Sequence, residues 1–278
     1  MQSEELLKSI LITGDGGMVG SYVDFGIKTD RNFLDITNLE QVLEVFKKEQ
    51  PKVILHLAAE TDLKKCEENP QHCYFVNSVG TYNVAVASKE INAKMIYIST
   101  NAVFDGIKKT PYKEGDEPNP QNYYGRSKFL GELVVKGILE NYLIVRTCWI
   151  FGGGKEKDKK FVGKIIEQLK NPETKEIKAV INQIGSPTFA KDLVNEIKKL
   201  IIEDKKGIIH ISNNGIASRY EIAKFIVEKL KSEIKVLSVD SSVFNATAKN
   251  ESLTSENYKL RNWQESLEEY LKTEWKII

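Results

Sequence analysis

The chain has 278 residues, with 40 Lys+Arg against 39 Asp+Glu, a formal net charge of +1, 41% hydrophobic and 28% charged residues. That is the balance of a globular protein long enough for one large domain or two modest ones. The near-neutral charge leaves no electrostatic footprint for nucleic acid and favours small-molecule partners.

Residues 69–88 carry no Asp, Glu, Lys or Arg, but Pro70, His72, Asn77, Gly80 and Asn83 read as buried helix and not as a membrane span. Met1 to Ser9 holds Glu4 and Glu5 and no long apolar stretch, which argues against a secretory signal. Cys66, Cys73 and Cys148 are odd in number and scattered, with no CxxC. They read as buried thiols of a cytoplasmic protein, without a disulfide framework or a metal site.

Ile10-Leu11-Ile12, preceded by Leu6 and Leu7, form a short apolar run that predicts a buried strand ending at Thr13-Gly14. Leu39, Val42, Leu43 and Phe46 have helical spacing, with Asn38 as N-cap. Val53–Leu57 reads as a strand, Gln71–Lys89 as a helix, Met95–Ile98 as a strand, Tyr124–Val135 as a helix and Tyr142–Val145 as a strand. Beyond Phe151 the rhythm loosens. Strands are expected at Ala179–Ile181, Gly207–Ile211 and Lys235–Val239, and helices at Lys160–Leu169, Ala190–Ile202, Tyr220–Leu230 and Gln264–Thr273. Strand–helix alternation predicts an α/β, Rossmann-like, doubly wound parallel sheet over residues 1–151. Residues 152–278 are expected to form a smaller C-terminal lobe, with some segments returning to the first domain.

Thr13-Gly14-Asp15-Gly16-Gly17-Met18-Val19-Gly20 follows the first strand as a GxxGxxG turn, the place for a dinucleotide pyrophosphate. Gly14 suits the tight turn, Gly17 the close approach of backbone N–H groups, and Gly20 close packing of a helix on the sheet. Asp30 comes only ten residues after Gly20, so the first helix, around Ser21–Phe25, must be stunted. Asp30 suits a ribose 2′-hydroxyl and Arg31 a 2′-phosphate, so NADH and NADPH both stay open.

Tyr124 and Lys128 stand one helical turn apart, where an ammonium lowers the pKa of a phenol and makes it a usable acid/base for a carbonyl or alcohol. Spacing alone proves little, since 5 Arg leave 35 Lys and, with 11 Tyr, chance supplies about one such pair. The chain holds a second pair, Tyr220 and Lys224, on an ordinary amphipathic pattern. Tyr124 is preferred because it follows a strand ending in Ser99-Thr100, which puts a hydroxyl at a carboxyl strand end.

With these motifs in this order, the chain resembles the extended short-chain dehydrogenase/reductases, and most closely the dTDP-4-dehydrorhamnose reductase family. The likeness runs nearly the whole length, through Leu34-Asp35-Ile36-Thr37, Ala58-Ala59-Glu60-Thr61, Asn77–Thr81, Val103–Gly106, Pro118–Gly125, Arg146–Trp149 and Gln183–Thr188. It implies a cofactor, NADPH or NADH, lined by Gly14, Gly17, Met18, Val19, Gly20, Asp30, Arg31, Asp35, Ile36, Ala58, Ala59, Thr61, Asn77, Tyr124 and Lys128. It makes Tyr124 the proton donor to a C4 keto oxygen, Lys128 the holder of the ribose, and Thr100 the orienting hydroxyl. Thr100, Val103 and Trp149 would meet the sugar, although Trp149 also fits a core role.

The implied substrate is a 4-keto sugar nucleotide, dTDP-4-dehydro-L-rhamnose first, with no metal among the site residues and a homodimer left open. A 4-epimerase and a non-catalytic cofactor-binding subunit are the alternatives. The chain departs from the family pattern at Asn101-Ala102 (Asp-Tyr in the family), Cys148 (Ser), Lys64 (Asp) and Thr247-Ala248 (Arg-Pro).

Overall fold

The computed structural model describes residues 2–244 and 249–277, so Thr247 and Ala248 lie outside the described residues. The chain divides into two compact units. One takes the chain to residue 104, with 117–146 and 194–209; the other comprises 105–116, 147–193 and 210–278.

The first unit opens on helix α1 (Gln2–Lys8), which the sequence pattern did not announce; Glu4 and Glu5 in its first turn and Lys8 in its last suit the helix dipole. Strand β1 (Ile10–Thr13) follows, then β2 (Ile27–Thr29), a three-residue strand with no apolar run to announce it. Helix α2 (Leu39–Glu49) is capped by Asn38, whose side chain accepts the Gln41 N–H at 3.2 Å. Strand β3 (Val53–His56) leads to two short helices, α3 (Leu63–Glu68) and α4 (Pro70–Tyr74).

The single helix expected over Gln71–Lys89 is interrupted. A π-helical turn at Phe75–Val79 separates α4 from α5 (Gly80–Glu90), and such wide turns are frequent at functional sites. Strand β4 (Lys94–Thr100), helix α6 (Tyr123–Ile138) and strand β5 (Tyr142–Thr147) complete the run.

These strands and Gly207–His210 form one six-stranded parallel sheet. In space the order is β2-β1-β3-β4-β5 and then Gly207–His210. Register is set by Leu11 opposite Ile27 and Ile54, and by Ile54 opposite Met95. Both faces are covered, so β1 and β3 are buried at every position. Leu11, Val42, Phe46, Ile54, Val84, Met95, Val135 and Ile144 share the core. The order reverses between β1 and β3, which places the switch point at the carboxyl end of β1.

Among the described residues the second unit has three small sheets. Lys235–Val239 pairs parallel with Glu176–Val180 and Ile150–Phe151 with Thr188–Phe189, while Gln183–Gly185 lies between Ala217–Ser218 and Lys249–Asn250. Its core centres on Phe151, Phe189 and Tyr270, with ring centroids 5.4–5.5 Å apart. Arg261 forks onto Asp192 at 2.9 and 2.8 Å. No helix among the described residues is long and apolar enough to cross a membrane.

Candidate active site

The glycine turn leaves β1 at the switch point. Gly14 has φ +73°, and a Cβ there would lie 2.7 Å from the Ala58 backbone, so neither the dihedral nor the space admits another residue. Gly16 faces open space. Gly17 donates its own N–H to the Gly14 carbonyl at 3.2 Å, so it closes the turn. Gly20 differs from expectation: a Cβ there would sit 2.3 Å from the Asp15 carbonyl oxygen. It lets the turn fold onto itself and does not serve helix–sheet packing. Gly20–Tyr22 then forms a single 3₁₀ turn, as the short interval to Asp30 required.

Met18 and Val19 are half-buried on this turn. Asp30 is exposed, and one carboxylate oxygen accepts the N–H groups of Asn32 and Phe33, both at 2.9 Å. Arg31 is exposed beside it. Asp35 accepts the Thr37 hydroxyl at 2.7 Å and its N–H at 3.0 Å, and these bonds hold its carboxyl below the usual range. Ile36 is buried so close to Gly80 that a Cβ on that glycine would lie 2.6 Å away.

Asn77 is fully buried, accepts the Glu60 N–H at 2.8 Å and donates to the Glu60 carbonyl at 3.0 Å. It therefore pins the segment carrying Ala58, Ala59 and Thr61, of which Thr61 is exposed.

Thr100, Tyr124 and Lys128 come together in the first unit. Asn122 caps α6 by accepting the Gly125 N–H at 2.7 Å. Gly125 brings that first turn against the chain after β4, since a Cβ there would lie 2.1 Å from the Ala102 carbonyl oxygen. The Thr100 hydroxyl caps the 3₁₀ turn Asn101–Val103 by accepting the Ala102 N–H at 3.2 Å, and it donates to the Asn101 side-chain oxygen at 3.3 Å. Val103 is fully buried in that turn.

Burial pushes the Tyr124 phenol up to about 12, and its hydrogen bond with Thr100 pulls it back. The lowering expected from Lys128 is not among the effects acting on this phenol; desolvation dominates, and the phenol stays protonated at neutral pH. Burial also takes Lys128 down to about 7, against an upward pull from Glu132. The lysine is 3% exposed, and its ammonium lies 4.0 Å from the centroid of the Tyr97 ring. A lysine ammonium held in a buried side chain is a donor that the vicinal hydroxyls of a ribose would meet, and the open ground at Gly16 suits a pyrophosphate. The residues present fit a dinucleotide.

Behind the dyad lies a network that the sequence reading missed. Glu132, one turn beyond Lys128, takes a bidentate fork from Arg146 at 2.9 and 2.7 Å and the Ser99 hydroxyl at 2.5 Å. The ion pair is sealed, with side chains 2% and 1% exposed. The signals were an arginine inside the apolar run Tyr142–Val145 and its extension, and a glutamate in i,i+4 register with Lys128. Tyr97 donates to the Lys128 carbonyl at 3.2 Å and stacks on His56, which hydrogen-bonds Thr13 at 2.7 Å. Tyr220 and Lys224 form no such site, and Lys224 pairs with Glu228 at 3.7 Å on an exposed helix face.

In the second unit Trp149 sits at φ +44°, donates its indole N–H to Glu251 at 2.8 Å and carries the Arg219 guanidinium 3.5 Å from its ring centroid. Gly185 approaches so closely that a Cβ would lie 2.4 Å from the ring. Cys148 is buried against the Glu251 carbonyl at 3.2 Å.

A protonated phenol, a buried lysine on the same helix face and a glycine turn at the switch point of a parallel sheet define one class of protein, the extended short-chain dehydrogenase/reductases. The family model described as RmlD substrate binding domain matches residues 8–275. The spore coat polysaccharide biosynthesis protein SpsK of Bacillus subtilis is 34% identical over 96% of this chain and 98% of its own. A crystal structure of a dTDP-4-dehydrorhamnose reductase from Clostridium acetobutylicum superposes with TM-score 0.89 at 35% identity, over 95% of this chain and 98% of that one. A second, from Bacillus anthracis in complex with NADP, gives 0.88 at 36% identity over 94% and 98%. The chain belongs to this family, that of the dTDP-4-dehydrorhamnose reductases.

Proposed function

We propose that the protein reduces the C4 ketone of a 6-deoxy-4-keto sugar nucleotide at the expense of NADPH or NADH, with dTDP-4-dehydro-L-rhamnose as first candidate. The observation that carries this reading is the meeting of the Thr100 hydroxyl with the Tyr124 phenol at the carboxyl end of β4, with the buried Lys128 one helical turn along from Tyr124. The NADP-bound relative from Bacillus anthracis supports the cofactor class.

The nicotinamide, when bound, supplies the hydride. Tyr124 donates its proton to the keto oxygen as negative charge develops there. Burial disfavours the phenolate and so makes Tyr124 reluctant to ionise unless the proton has somewhere productive to go. Thr100 orients that oxygen through its hydroxyl. Lys128 holds the ribose hydroxyls and stabilises the phenolate left after proton transfer.

Gly14, Gly17, Met18, Val19, Gly20, Ala58, Ala59 and Thr61 are proposed to line the cofactor, with Asp30 and Arg31 at the adenosine ribose. Asp35, Ile36 and Asn77 support that wall through the contacts described. Val103 and Trp149 are proposed on the sugar side by resemblance, and in this structure each already has a packing role. Incubation of the purified protein with the ketosugar nucleotide should oxidise one NADPH or NADH per ketone reduced. Turnover without net cofactor oxidation would favour an epimerase, and binding without turnover a regulatory subunit.

A further inference from the structure

We propose that Cys66 and Cys73 form an oxidative modification site, a dithiol that closes to a disulfide beneath the first turn of α6. The sequence gives no hint of it, since the two lie seven residues apart outside any CxxC, yet α3 and α4 bring their Sγ atoms to 2.6 Å. That is about half an ångström longer than a disulfide bond of about 2.05 Å. Both thiols are free and 0% exposed. Cys148 belongs to the second unit, so Cys66 and Cys73 are one another's natural partners.

The pair is held by its neighbours as well as by its own helices. Cys73 Sγ touches the Ser127 hydroxyl at 3.2 Å, receives the Asn77 amide N–H at 3.5 Å and faces the Tyr123 carbonyl at 3.9 Å. The Ser127 hydroxyl in turn donates to the Tyr124 carbonyl at 2.8 Å. The turn that carries the proposed proton donor therefore rests on Cys73. The oxidant is hydrogen peroxide. One thiol, as thiolate, attacks the peroxide oxygen to give a sulfenic acid and water; the second sulfur then displaces the hydroxyl, which leaves as water. Two S–H bonds and one O–O bond are broken, one S–S bond and two O–H bonds are formed, and the two electrons lost by the sulfurs reduce the peroxide to two waters.

Burial pushes the Cys66 thiol up, so the reaction waits on local opening. Helices α3 and α4 are only six and five residues long, the kind of element that opens locally well below the global unfolding free energy. Closing the bond removes the S–H donors and draws the two sulfurs together. A displacement of about 1 Å at a catalytic group can lower turnover by roughly 100-fold. A shift of half that size, shared between two helices, is expected to lower kcat about three- to tenfold.

The turnover part rests on the reductase reading, and the covalent part does not. Hydrogen peroxide treatment of the full chain should lower its mass by two hydrogens, with peptide mapping linking 66 to 73, and a thiol reductant should restore both mass and kcat. Cys66→Ser should keep its basal kcat within about twofold and lose the response, and Cys66→Ala serves the same purpose should the serine variant not accumulate. Absence of the 66–73 link overturns the proposal. So does a disulfide that leaves kcat unchanged, or a Cys66→Ser protein that loses activity with peroxide as fully as the parent. If the reduced protein turns over no ketosugar, the reductase reading fails on its own. The coupling is then read from amide hydrogen exchange over residues 123–128, where identical exchange in the two redox states refutes it.

Discussion

Replacing Glu132 with Gln tests whether the buried charge network under the dyad holds the site together. The substitution keeps the shape of the side chain and removes its charge. Arg146 would remain a buried cation on a side chain 2% exposed, with its Nη1 already lacking a hydrogen-bond partner. One of its two fork bonds would be lost, and the Ser99 hydroxyl would face a weaker acceptor. Breaking one partner of a sealed ion pair costs about 3–5 kcal/mol, because the remaining charge is left uncompensated in low dielectric. Against a total stability of about 5–15 kcal/mol, that is a large fraction.

Urea denaturation followed by circular dichroism should show the midpoint moving down with little change in slope. The double replacement Glu132→Leu with Arg146→Met removes both charges and should recover most of the loss. A shift below about 1 kcal/mol for the single variant, or a double variant as unstable as the single, would refute the reasoning. Because Glu132 also supports the ammonium form of Lys128, the single variant should bind NADPH more weakly at neutral pH.

Tyr124→Phe should lower kcat by about 100–10,000-fold with NADPH affinity, read by fluorescence titration, changed only a few-fold; full activity in this variant would remove the proton-donor role. Burial holds His56 down to about 3, from 6.5, with Lys128 adding to the effect, and takes Lys128 to about 7, from 10.5. The unfolded chain binds these protons more readily, so stability rises with pH from about 3 to 6.5 through His56 and from about 7 to 10.5 through Lys128. Lys128→Met should therefore melt higher than the parent near pH 6, with the gain fading near pH 10; an equal gain at both would contradict the burial argument. On α6 Gly131 and Gly137 should respond oppositely in thermal melts. A Cβ at Gly131 would lie 2.2 Å from the Tyr97 hydroxyl, so Gly131→Ala should lose about 1–3 kcal/mol. Gly137 meets nothing within 4 Å, and Gly137→Ala should gain about 0.5–1 kcal/mol.

Much of the first unit was legible because its signals are local. Asn38 before an amphipathic run, and apolar runs bounded by Gly14 and Pro51, mark α2, β1 and β3 without tertiary information. Strand β2 was not legible, because three residues with one charged member carry no period, and only pairing with β1 makes them a strand. The two- and three-residue strands of the second unit escaped for the same reason. At the site, the spacing of Tyr124 and Lys128 and the hydroxyl of Thr100 were readable as chemistry. The size of the desolvation that raises the phenol and depresses the ammonium was not, since burial belongs to the packed structure. Neither was the meeting of Cys66 with Cys73, which depends on the angle between two short helices.

The π-helical turn at Phe75–Val79 gives this segment an unusual evolutionary stiffness. Each residue of an α-helix advances the face by about 100°. Removing the extra residue would swing everything downstream round the axis. Thr81 would leave both the Asn77 carbonyl and His56, and Asn83 would leave the Ile36 carbonyl. Loops in this chain can drift in length at little penalty, whereas here a single-codon deletion would unseat the wall beside the glycine turn, so the wide turn should persist wherever that wall is still needed.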